Sequence, residues 1–135
     1  MFKEYNYLYV EDDALSREIM NMILVGAMGV KNLAVFQDSE DFMARVKALA
    51  RKPDIILLDI HVNPCDGFEM LAMLRADPKY HATRIVAVTA SVMSEEVERL
   101  RVCGFDGAIA KPLSVQVFPA LMEQIINGEN IWHIV

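Results

Sequence analysis

Pro53-Asp54-Ile55-Ile56-Leu57-Leu58-Asp59 is the stretch on which the fold turns. Four consecutive aliphatic residues leave neither side of a strand polar, the pattern of a central parallel strand covered on both faces. The run stops abruptly at an acid. Outward from it, short β-rich runs alternate with longer amphipathic ones, five times along the chain. The other strand candidates are 7–10, 33–36, 84–88 and a weak 108–110. Leu15, Ile19, Met22 and Ile23 form a helical stripe that Gly26 or Gly29 should close. Asp38 or Ser39 is expected to cap a second helix carrying Phe42, Val46 and Leu49 on one face. A third spans 67–76 with Phe68, Leu71 and Leu74 inward, and a fourth opens at Ser94 and stops at Gly104. Ser114 should cap the last, which runs to Asn127-Gly128 with Pro119 near the end of its first turn. Strand–helix alternation with short loops implies right-handed crossovers and a parallel sheet, an α/β fold.

Composition narrows the class without naming it. The 135 residues are 54% apolar and 24% charged, with 6 Gly and 5 Pro, which suits one folded domain and excludes disordered or low-complexity chains. Thirteen basic against nineteen acidic side chains give a net charge of −6, which argues against nucleic-acid binding through phosphates. The longest apolar run, 22–30, has nine residues, too few for a membrane span, and the amino end lacks the pattern of a secretory signal. Cys65 and Cys103 have no metal-ligand spacing and read as free thiols of a cytoplasmic protein. His81 and His133 read as surface residues, and the nine methionines as core filler.

The polar residues are more informative. Ligands of open parallel sheets bind outside the carboxyl ends of the strands, and four of the five strand ends carry a potent side chain: Glu11-Asp12, Asp59, Thr89 and Lys111. Taken singly, an Asp or Thr after a strand is an ordinary helix cap. Together they would converge three carboxylates on one mouth. Like charges ~4 Å apart repel by about 4 kcal/mol at an effective dielectric near 20, so such a cluster favours a bound cation. Hard oxygen ligands with open positions suit Mg²⁺, with Mn²⁺ as an alternative. A cation, the Lys111 ammonium and the Thr89 hydroxyl around Asp59 form a set suited to a transferring phosphoryl group, with Asp59 as nucleophile.

The ordered set Tyr9-Val10-Glu11-Asp12-Asp13, then 53–59, then Val88-Thr89-Ala90, then Ala110-Lys111-Pro112 resembles the receiver domain of bacterial two-component response regulators. Thr89 follows Asp59 by thirty positions and Lys111 follows Thr89 by twenty-two, which agrees with the resemblance. The likeness implies a stand-alone domain over 1–135 with a core of about 5–127 and a tail of 128–135. Its fold would be (βα)5, doubly wound, with a five-stranded sheet in the flavodoxin-like order 2-1-3-4-5. It further implies that Glu11, Asp12, Asp59 and the backbone carbonyl of His61 hold Mg²⁺, while Asp13 caps the first helix. Asp59 would accept a phosphoryl group from a phosphohistidine on a sensor kinase or phosphotransfer protein. Thr89 and Lys111 would then engage the phosphoryl oxygens. The Lys111-Pro112 bond would be cis, Gly67 would take an unusual backbone angle, and His61 and Ser91 would tune hydrolysis. The output would be contact with an unknown protein, from a monomer or weak homodimer, with no turnover of external substrates.

Three departures stand beside the likeness. Val62 and Asn63 occupy positions where the family usually has Met-Pro, with proline one place late at Pro64. Ala108 stands where the family commonly places the Tyr or Phe that moves on activation, so another side chain or backbone shift must carry the signal. Trp132 lies in a tail expected to fray unless it docks. Two rival functions share the residues. A haloacid-dehalogenase-like phosphatase would need a second Asp where His61 stands, and its nucleophile would precede the acidic pair. A binding-only receiver would signal without phosphate; its acidic and Lys positions would typically be eroded, whereas all five are intact here, and Ala108 alone keeps it open.

Overall fold

The computed structural model describes residues 2–91 and 93–134. Strands β1 (Asn6–Val10), β2 (Asn32–Phe36), β3 (Ile55–Asp59), β4 (Arg84–Thr89), β5 (Gly107–Ala110) and β6 (Ile131–His133) form one parallel sheet in the order β2-β1-β3-β4-β5-β6. The expected order holds for the first five strands, and a sixth extends it. All five residues of β3 are buried, as a strand between two helical layers requires.

Helices α1 (Ala14–Asn21) and α5 (Phe118–Ile126) cover one face, where Met20, Ile23, Phe118 and Met122 pack with Tyr9, Leu57 and Val88. On the other face, α2 (Phe42–Lys47), α3 (Gly67–Arg75) and α4 (Ser94–Val102) pack Phe42, Leu71, Leu74 and Leu100 against Val10, Ile56, Leu58 and Ala87. Period-two alternation along each strand divides the apolar residues between these two layers.

Several local expectations need correction. The first helix continues as a π-helical segment, Met22–Ala27, in which Met28 N–H donates to the Ile23 carbonyl at 2.9 Å. The adjacent Ile23 and Leu24 are both buried in that segment. Neither Asp38 nor Ser39 caps α2. Asp41 stands at its N-cap with left-handed backbone (φ 46°), while Asp38 accepts from the Glu40 amide. Ser39 is buried and fastens the β3–α3 loop: its Oγ donates to the Cys65 carbonyl at 2.6 Å and accepts from the Cys65 amide at 2.7 Å. Ser114 accepts from the Val117 amide at 3.3 Å, one turn before α5, instead of capping it.

The largest correction is the tail. Residues 131–133 pair with β5, setting Ile131 opposite Gly107, Trp132 opposite Ala108 and His133 opposite Ile109. Glycine is required at 107 because a Cβ there would stand 2.4 Å from the Ile131 carbonyl oxygen. Gly107→Ala is therefore expected to displace β6 and cost about 2 kcal/mol, the range of an overpacked core site. Urea denaturation checks the loss, and unchanged stability would show that β6 contributes nothing.

Candidate functional site

Four strand carboxyl ends deliver the site. Glu11 follows β1 and is fully buried, Asp12 beside it is exposed, and Asp59 closes β3 at 5% exposure. One carboxylate oxygen from each lies within 4.8 Å of those of the other two. Lys111, following β5, reaches across the sheet: its Nζ contacts Glu11 Oε1 and lies 3.8 Å from Asp59 Oδ1. The Lys111-Pro112 bond is cis, as is Asn63-Pro64 in the loop after β3.

One ammonium between two buried carboxylates cannot leave both fully ionised. Burial, then the neighbouring Glu11 carboxylate, pushes the Asp59 carboxyl up to about 7, against the pull of Lys111 and the His61 amide. Glu11 lies below its ordinary value. Burial pushes it upward, but its contacts with Asp59, Lys111 and Tyr9 outweigh that. Glu11 is thus the ionised member of the pair.

Thr89 is fully buried at the end of β4, but its hydroxyl is engaged away from Asp59. It accepts from the Ser91 amide at 3.0 Å and donates to the Ser91 carbonyl at 3.3 Å. His61 donates its backbone N–H to Asp59 Oδ1 at 3.4 Å, and its largely exposed imidazole Nε2 lies 3.0 Å from Glu96 Oε1 of α4. Asp13 caps α1, accepting from the Ser16 amide at 2.8 Å. Asp66 forms a reciprocal capping box with Glu69 at the start of α3. Gly67 has no unusual backbone angle. It is needed for space, since a Cβ would stand 2.9 Å from Ile60 Cα and 3.1 Å from the Asp59 carbonyl.

Three supporting residues escaped the sequence reading. Tyr9 donates its hydroxyl to Glu11 Oε1 at 2.7 Å. Arg17 donates to the Glu11 carbonyl at 3.0 Å, and Glu96 meets His61. Tyr9 could have been found, because it lies two positions before Glu11 and side chains two apart on a strand share a face.

Residues 7–123 match the family described as the response regulator receiver domain. The chain belongs to that family. The polar-differentiation response regulator DivK of Brucella anthropi is 32% identical to this receiver domain over 111 residues, covering 82% of this chain and 87% of DivK. Stress response regulator protein 1 of Candida albicans is 30% identical over 112 residues, 82% of this chain. The match takes in only 38% of that longer relative. The signal receiver domain of a histidine kinase from Syntrophus aciditrophicus shares the fold at a TM-score of 0.78 and 24% identity, covering 92% of this chain and 91% of that one. So does the receiver domain of a Pseudomonas aeruginosa sensor histidine kinase with magnesium coordinated in its active site cleft, at 0.79 and 20%, covering 91% and 98%. Receiver domains are signalling switches that bind Mg²⁺ at an acidic site and work with histidine kinases or phosphotransfer proteins. Among the described residues no helix is long and apolar enough to cross a membrane.

Proposed function

We propose that this receiver domain is the phosphoacceptor of a cytoplasmic two-component phosphorelay, with Asp59 as the residue phosphorylated. The observation that carries the reading is the nearly buried Asp59 carboxylate, flanked by two further carboxylates and the Lys111 ammonium. Three converging hard-oxygen donors, one of them exposed, fit a divalent cation with open positions. Glu11, Asp12, Asp59 and the His61 carbonyl would hold Mg²⁺, which when bound supplies charge neutralisation for phosphoryl oxygens.

Asp59, once its proton is released to solvent, attacks phosphorus through a carboxylate oxygen. The new P–O bond forms as the P–N bond to the donor imidazole breaks, and the nitrogen keeps the electron pair. Lys111 faces the developing charge on the phosphoryl oxygens, and the Thr89 hydroxyl turns from Ser91 to donate to one of them. His61 and Ser91, two residues beyond Asp59 and Thr89 respectively, would tune the hydrolysis of the phosphoryl group. Next to the site, Leu15, Ile19, Pro112 and Leu113 line an apolar groove of about 290 Å³, and Leu15 and Met22 are exposed on the same helical ridge. Its continuity with Lys111 suits the docking of the kinase or phosphotransfer helix that carries the phosphohistidine. The phosphorylated domain is read by another protein, and no external substrate is turned over.

Incubation with Mg²⁺ and acetyl phosphate, followed by intact-mass measurement, tests the reading. One base-labile phosphoryl group is expected, absent when EDTA is present and absent in Asp59→Ala. Failure with both acetyl phosphate and a phosphohistidine donor would leave the binding-only reading standing. Sustained hydrolysis of unrelated phosphoesters would favour a phosphatase.

A further inference from the structure

Helix α4 touches the site at one end and the sheet edge at the other. Near its start, Glu96 Oε1 lies 3.0 Å from the imidazole of His61, whose amide donates to Asp59. Near its end, the Arg101 guanidinium stands over the Trp132 ring at 5.4 Å. Arg101 lies five residue steps beyond Glu96, about 7.5 Å along the helix, short enough to move as one body. The helix is also lightly anchored. Leu100 is its one buried residue among those described, whereas α3 buries five, and no side chain caps its N-terminus. Leu100 and the stacking of Arg99 over Phe68 at 3.7 Å make a pivot.

Trp132 is suited to report such a movement. It lies in register with the fully buried Ala108, and it packs half-buried against the cluster that contains Ala108, Leu100 and Ile134. Its seat is thus made by α4 and β5 together.

Resting on Asp59 as phosphoacceptor, we infer that α4 couples the state of Asp59 to β6, with Trp132 as the side chain whose packing changes. A phosphoryl group adds between one and two negative charges beside His61. The new charge repels the nearby Glu96 carboxylate. The start of α4 then swings outward about its pivot, and Arg101 slides off the Trp132 ring. A receiver domain lacking an aromatic residue on β5 thereby gains one from the neighbouring strand.

Trp132 is the single tryptophan of the chain, so its emission reads the inference directly. Mass and fluorescence are measured on one sample with Mg²⁺ and acetyl phosphate. The emission is expected to shift to the red and become more quenchable by acrylamide, in proportion to the phosphorylated fraction. In Arg101→Ala the unphosphorylated emission is expected to be red already, and the phosphorylation-dependent shift to be lost while the mass gain persists. Glu96→Gln, which removes the repelled charge, should shrink the shift. Full mass gain with unchanged emission would overturn the coupling, as would an undiminished shift in Arg101→Ala. No mass gain from either donor class would instead overturn the phosphoacceptor reading on which the coupling rests.

Discussion

Asp59→Asn is expected to yield a protein that gains no phosphoryl mass and is more stable than the parent at about pH 8, by about 2 kcal/mol. That corresponds to about 8 °C in Tm for a chain of this size. The sign follows from the direction of the shift. The Asp59 carboxyl has a folded-state value near 7 against an ordinary 3.8, so the native state holds a proton that the unfolded chain releases between those values. Stability from the neutral carboxyl is fully present below about pH 4 and is lost as pH rises through 7. Asparagine keeps the shape without the charge, so the gain should nearly vanish at about pH 4 and grow toward pH 8. The lowered Glu11 carboxyl works in the opposite direction, which keeps the net gain below the amount that the Asp59 shift alone would imply. Thermal denaturation of both proteins across this range is the measurement, and a gain that does not depend on pH would refute the electrostatic origin. Millimolar Mg²⁺ should raise the Tm of the parent and have less effect on the variant.

Lys111→Met is expected to be the most damaging single change at the site, costing about 3 kcal/mol at about pH 8 because one partner of a buried ion pair is removed. Glu11 would remain fully buried without its cationic partner, left with the Tyr9 hydroxyl, the Asp13 amide and the Asp59 carboxyl. Lys111 also restrains the Asp59 carboxyl, so its loss moves that group further above 7. The folded state would then release the Asp59 proton at still higher pH, and the destabilisation should deepen from about pH 5 to 8. Urea unfolding at the two pH values separates this from lost packing of the lysine stem, which would cost the same at both.

Much of this was legible in the sequence for a physical reason. The 55–59 run is apolar on both sides, so burial alone specifies its place in the sheet. Once β1, β3, β4 and β5 run parallel, residues at their carboxyl ends must share one edge, which brings Glu11, Asp59, Thr89 and Lys111 together without knowledge of any side-chain rotamer. What failed to show was decided by rotamers and distant contacts. Thr89 has the predicted place, but its hydroxyl choice of Ser91 is a torsional matter. The π-helical turn at 22–27 arises from a slip in backbone pairing that apolar periodicity does not encode. Asp41 at the N-cap of α2 adopts positive φ, a conformation that residue type only weakly favours. β6 is three residues long and follows the polar stretch 127–130, so it reads as a tail. Its pairing depends on the absent side chain of Gly107, far away in sequence.

The short final strand β6 also bears on colloidal behaviour. Without it, β5 would present the backbone of Gly107, Ala108, Ile109 and Ala110, with no charged side chain, as an open template for strands of other molecules. Covering it with a three-residue strand leaves an outer rim too short to seed further pairing, so removal of residues 131–134 should increase self-association through that flank.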